Sequence, residues 1–289
     1  MELETLLKSE GLPSNTLRSL QGWQENGILQ LRIAGKEAHA IWNRLVEHAP
    51  TIGYYPVITT NENVDFLTRN PPVESASTAR REALEKAKQQ SFDHWLEQQR
   101  DPTFQVAHYL SMAERIEKFH TGDPVARIFR DTAEDWRNRP PWQFDPVSCR
   151  WPDEPVHVRP PEELFCVYSG LEHAPAETAA VLFVATADSC EVPAYLLFGG
   201  FNSCPNPEVH VAMLRSMHER FGARLIVLNT GTIGFVVSRR PANREEALRL
   251  ATDFLTYAES FEGTAYNRQS AGEIAAYLLA SDYWGFWWD

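Results

Sequence analysis

Two hydrophobic periods run through this chain, and their order predicts alternating strands and helices. "ELETLLKSE" (2–10) reads as a short helical cap, and a turn follows at residues 11–13. "GILQLRIAG" (27–35) sets Ile28, Leu31 and Ile33 among polar positions and reads as a strand, as does "GYYPVITT" (53–60). Pro56 has no N–H to give to a ladder, so this second strand is assigned to a sheet edge or a strand end. Between them, "KEAHAIWNRLVEHAP" (36–50) gathers Ala40, Ile41, Trp42 and Leu45 on one side of a helix. The period then stays helical. "STARREALEKAKQQSFDHWLEQQR" (77–100) spaces Leu84, Ala87 and Trp95 as one helix, with Thr78 as its N-cap, and two more helices fall near 104–119 and 123–137.

Residues 138–163 are dense in proline, which fixes φ and removes donors, so they read as an extended connector. Trp142, Phe144 and Trp151 within it imply that it lies against the body. Beyond it the pattern is more regular. "AAVLFVATA" (179–187) is a continuous apolar run, as in a strand buried on both faces, and "VPAYLLFGG" (192–200) reads as a second strand. "NPEVHVAMLRSMHERFG" (206–222) is a helix with Asn206 as N-cap, Pro207 at N1 and Gly222 closing it. "ARLIVLNTGTIGFVVSRR" (223–240) is a hairpin turning at "NTGT". "NREEALRLATDFLTYAESF" (243–261) is a helix with Asn243 as N-cap and Glu246 at N3, and "AGEIAAYLLAS" (271–281) is a last helix before the aromatic run "DYWGFWWD" (282–289).

The fold class expected is therefore α+β: a mixed or antiparallel sheet flanked by helices, with a helical insertion in the middle of the chain. Residues 1–60 form an N-terminal α/β segment packing with the C-terminal domain, 61–137 the insertion, 138–163 the connector and 164–289 an α+β domain. A helix–turn–strand unit occurs twice, at 40–58 and 212–228, a weak internal echo.

Charge changes this picture only by exclusion. The formal net charge of −12 leaves no basic footprint for nucleic acid or an anionic membrane, and it permits a basic protein partner such as a toxin. No window approaches 18 continuous apolar residues, so no membrane span is expected. Cys149, Cys166, Cys190 and Cys204 form no CxxC pair, and no secretory leader follows Met1, so free thiols in a cytoplasmic setting are expected.

Four blocks carry a resemblance: "VPAYLLFGGFNSCP" (192–205), "LRSMHERFGARL" (214–225), "RPANREEALRLA" (240–251) and "FWWD" (286–289). In order and spacing they resemble the bacterial domain-of-unknown-function family 4253 over about the last 110 residues, and "AIWNRLVEHAPTIGYYPVI" (40–58) is similar to the region upstream of that domain. The resemblance implies an ordered aromatic end and no transferable activity. The chain departs from the family pattern at Phe201, Met217 and Phe221, where aromatic Trp or Tyr is usual, and its hairpin "NTGTIGF" lacks the acidic residues often found there.

Candidate chemistry concentrates in "GGFNSCPNPEVH" (199–210), where a glycine pair precedes a helix N-terminus. A thiolate at Cys204 with His210 or His218 as base makes a nucleophile pair imaginable. The competing reading is a turn, a structural thiol and a surface histidine. His210 and His218 are assigned to one helical face with Leu214, too far apart to share a metal. No metal site and no cofactor is expected. The binding candidates are Gly199, Gly200, Phe201, Asn202, Arg215, Trp284, Trp287 and Trp288. Two functions follow: a non-catalytic protein-binding module of immunity or regulatory type, or a small-molecule hydrolase or transferase using Cys204 and His210 or His218. The acid surplus and the missing carboxylates favour the first.

Overall fold

The computed structural model describes residues 2–70, 72, 75–119, 123–139, 150–156, 158, 168–169, 174–175, 177–258, 260–262 and 270–288. Along the chain, helix α1 (Leu3–Ser9) precedes strands β1 (Arg18–Ser19) and β2 (Leu29–Ala34). Helices α2 (Ala38–Val46) and α3 (Ala49–Ile52) lead into β3 (Tyr55–Thr60). Five helices follow: α4 (Asn61–Arg69), α5 (Ala76–Gln89), α6 (Phe92–Arg100), α7 (Pro102–Phe119) and α8 (Pro124–Arg137). A two-strand ribbon, β4 (Tyr168–Ser169) with β5 (Ala174–Pro175), precedes β6 (Thr178–Val184). The remainder is α9 (Val192–Tyr195), α10 (Pro207–Phe221), β7 (Arg224–Asn229), β8 (Thr232–Val236), α11 (Arg244–Tyr257), β9 (Ser260–Glu262), α12 (Ala271–Ala280) and β10 (Tyr283–Trp287).

Among the described residues, eight strands form one sheet in the order β1-β2-β6-β3-β7-β8-β10-β9. The apolar run of β6 lies between β2 and β3, antiparallel to both, and its residues from Ala179 to Val184 are buried. Among the described residues, the parallel contact joins β3 to β7 at Ile58 and Val227. Strands from residues 1–60 and from 164–289 therefore alternate in a single sheet, and the fold is α+β with its helices concentrated in mid-chain. No helix among the described residues is long and apolar enough to cross a membrane.

Three expectations are corrected here, and one open choice is decided. Pro56 lies in an interior strand, and of its two alternatives it takes the strand end, as the second residue of β3. Its carbonyl accepts from the Trp42 indole N–H at 3.0 Å, and the Tyr55 hydroxyl donates to the Leu225 carbonyl, so this end of the β3–β7 seam is closed by side chains where proline has no N–H to offer. The segment 77–100 is two helices. The Ser91 Oγ accepts from the His94 N–H and starts α6, while Thr78 sits inside the first turn of α5 behind Ser75. Residues 192–200 are not a strand. Asp188 caps a 3₁₀ turn through Ser189–Glu191, Pro193 lies in the first turn of α9, and Leu197 takes a left-handed φ of 50° that ends regular structure. His210 is buried, not at the surface.

The connector is described only in part. Trp151 rests against the core beneath the Arg244 guanidinium, 4.4 Å from the ring centroid, and Val156 and Val158 pack beside it. Trp142, Phe144, Cys149 and Cys166 lie outside the described residues. In the insertion, α5 and α6 lie against α10, whereas α7 and α8 pack chiefly on each other. Arg100 on α6 is clamped to Asp253 on α11 at 2.9 Å and to the Thr256 hydroxyl, fixing the insertion to the C-terminal helices.

Candidate functional site

The loop 199–210 is shaped by its two glycines. Gly199 has φ of 105° and Gly200 of 75°, and the Gly200 N–H donates to the Pro205 carbonyl at 2.9 Å. A Cβ at Gly199 would sit 2.0 Å from the Pro205 carbonyl oxygen and 2.7 Å from His210 Nε2. The glycine therefore serves a close approach of backbone to a side chain of the same chain. Phe201 is half-buried, edge-on to Phe198 with centroids 6.2 Å apart, and Asn202 holds a left-handed φ of 45°.

Cys204 and His210 come together as the spacing suggested. Cys204 Sγ lies 3.4 Å from His210 Nε2, and His210 Nδ1 lies 2.5 Å from the Tyr257 hydroxyl on α11, a third member that the sequence reading missed. Tyr257 is 47 residues from His210 in sequence, so no local motif could flag it. Three rings close the site: Phe198 stands 4.8 Å, Trp288 5.3 Å and Tyr257 5.7 Å from the imidazole centroid. His210 is fully buried and Cys204 nearly so.

Burial sets the protonation of all three. Desolvation pushes the Cys204 thiol up to about 12 and holds Tyr257 well above the usual phenol range. It also pulls the His210 imidazole down to about 3, against a hydrogen bond to the Pro205 carbonyl that favours the cation. A neutral imidazole beside a protonated thiol is not the thiolate–imidazolium pair that a cysteine nucleophile uses, and burial holds both groups in their uncharged forms.

A labelling rate tests this. A thiol raised from 9 to about 12 holds about a thousandfold less thiolate at neutral pH, before steric exclusion is counted. Native protein treated with iodoacetamide at pH 7.5 is expected to leave the Cys204 peptide unmodified while the urea-unfolded chain is alkylated quickly. Fast stoichiometric labelling in the native state would show an open, activated thiol.

His218 does not join this group. At about 100° per residue, eight positions turn the helix through about 800°, which leaves the two histidines about 80° apart. His218 faces outward, 2.9 Å from the Ala223 carbonyl through Nδ1. It borders, with Arg215, an open cleft of about 430 Å³ between α2, α3, the loop after β6 and the C-terminal half of α10. Arg215 donates to the Ala87 carbonyl at 3.3 Å and stands 3.7 Å from Glu191. The aromatic candidates divide: Trp284 and Trp288 are buried in the core and Trp287 is half-buried. No group of three His, Cys, Asp or Glu side chains among the described residues is placed to hold a metal ion.

No curated protein and no solved structure matches the chain. Its C-terminal part, residues 180–289, from within β6 through the loop 199–210 to the aromatic strand β10, matches the family described as Domain of unknown function (DUF4253).

Proposed function

We propose that this protein is a non-catalytic protein-binding module, of immunity or regulatory type, whose partner presents a basic surface. The observation that supports this reading most is the state of Cys204 and His210. The pair best suited to nucleophilic chemistry is sealed among Phe198, Tyr257 and Trp288, with the thiol protonated and the imidazole neutral. The acid surplus of 39 carboxylates over 27 basic side chains supplies the long-range attraction that a basic partner would feel.

The test is a complex rebuilt from purified components. The full chain, tagged and crosslinked in the cells that encode it, would identify a partner, and both proteins would then be purified and mixed. A stoichiometric complex that weakens as salt rises, and that Cys204→Ser leaves intact, is the expected result. Turnover of a small-molecule substrate that disappears in Cys204→Ser would overturn the proposal in favour of a hydrolase or transferase.

A further inference from the structure

The cleft of about 430 Å³ bordered by Arg215 is an open concavity that the buried pair leaves unexplained, and its charges do not balance. Both arginines that line it are already matched. Arg224 pairs with Glu47 at 2.5 Å, and Arg215 stands 3.7 Å from Glu191 while donating to the Ala87 carbonyl. Asp188 and Glu219 also line it, and neither forms an ion pair among the described residues. The Asp188 carboxylate accepts the Cys190 N–H at 2.9 Å, which fixes its position at the mouth of the 3₁₀ turn. Burial and this neighbouring carboxylate both hold the Cys190 thiol in its neutral form. The rest of the wall is mixed: Val46, Ala49, Pro50 and Ala187 are apolar, and Tyr55, Ser189 and His218 are polar.

We infer that this cleft receives a lysine or arginine side chain of a protein partner. The apolar part of the wall suits the methylene stem, and the unmatched carboxylates of Asp188 and Glu219 suit the cationic head. An anionic ligand is disfavoured, because it would meet the unmatched carboxylates of Asp188 and Glu219 in the same cleft. The inference rests on the protein-binding reading above and names the chemistry that the partner must carry.

The probe is N-acetyl-arginine amide, titrated into the ¹⁵N-labelled full chain. Saturable shifts are expected at the amides of Asp188, Cys190, Arg215 and Glu219, with a Kd on the order of millimolar for a single side chain. N-acetyl-citrulline amide has the same shape without the charge and should bind at least about fivefold more weakly, as should arginine amide to the Asp188→Asn, Glu219→Gln variant. Both residues are surface positions, and an unchanged Tm would establish that the variant is folded. Equal binding of citrulline and arginine amides, or preferential binding of propionate, would overturn the inference. So would spermidine competing far better than an amidated Gly-Arg-Gly peptide, which would make the ligand a free polyamine. These results are read on the cleft alone. A complex that survives Asp188→Asn, Glu219→Gln while arginine amide fails to bind would leave the protein-binding reading standing and remove only the cleft from it.

Discussion

A chain ending at Tyr283 is expected not to fold. The residues removed include Trp284, Phe286 and Trp288, each at most 1% exposed, which point to the side of the sheet covered by α11. Phe254 meets Phe286 edge-on at 4.7 Å, and Tyr257 meets Phe286 at 5.0 Å and Trp288 at 5.3 Å. The Trp284 indole donates to the Ser281 carbonyl at 3.1 Å, so even its polar atom is satisfied inside. Losing a buried Phe or Trp costs about 3–5 kcal/mol. Three together are on the order of 10 kcal/mol, against a total stability of about 5–15 kcal/mol.

The backbone loss adds to this. β10 is paired on both sides, to β8 and to β9, and β9 has no other strand partner among the described residues. Removing β10 releases β9 and bares the edge of β8. Circular dichroism of the truncated chain should show no cooperative thermal transition. Single substitutions keep the idea testable if that chain aggregates: Trp288→Ala should lower Tm by many degrees and the half-buried Trp287→Ala by far less. A truncated chain with an unchanged Tm would mean that the aromatic strand serves only as a contact surface.

That strand also shows what made some elements legible in the sequence. Aromatic residues on both sides of a five-residue segment leave it no exposed face, so it had to be covered twice. The ends of two helices were equally readable, because each rests on local geometry. Asn243 Oδ1 accepts from the Glu246 N–H, the Glu246 carboxylate takes the Ala242 N–H, and Gly222 turns left-handed after α10. The errors have more than one cause. "VPAYLLF" alternates well enough for a strand, yet the Asp188 cap and Pro193 start a helix there. For Pro56 the sequence left edge and strand end open, and the choice needed the neighbouring strands β6 and β7, which lie far along the chain.

The candidate site was legible by half. Cys204 and His210 are six residues apart across a glycine loop and a helix start, and the loop geometry alone brings them together. What covers them could not be read locally, because Tyr257 and Trp288 arrive from α11 and the end of β10. Those two rings bury the nucleophile and base that the sequence suggests. Arg215 and His218 were named beside that loop and belong instead to the cleft on the far half of α10.

His210 should make this protein acid-sensitive in a defined window. In the unfolded chain the imidazole takes a proton near 6.5, and in the fold only near 3. Between those values the unfolded chain holds a proton that the folded chain does not, so stability falls as pH falls. The contribution is complete above about 6.5 and spent by about 3. At about 1.4 kcal/mol per pKa unit, the whole window is worth on the order of 5 kcal/mol. Roughly half of that is already lost by pH 4.5. The titratable groups in contact with the ring, Cys204 and Tyr257, are both uncharged throughout this range, so neither offers the imidazolium a counter-charge. Urea midpoints measured at pH 7 and pH 4.5 should therefore differ more for the wild type than for His210→Gln. That variant should itself be weaker at pH 7, because the buried Tyr257 hydroxyl loses the imidazole it bonds. Should His210→Gln not fold, the wild-type ring gives the same answer directly. Its Cε1–H resonance should stay in the neutral position down to the acid transition, and titration near 6.5 in a folded chain would mean that water reaches the ring and that the Cys204–His210 pair is open to chemistry after all.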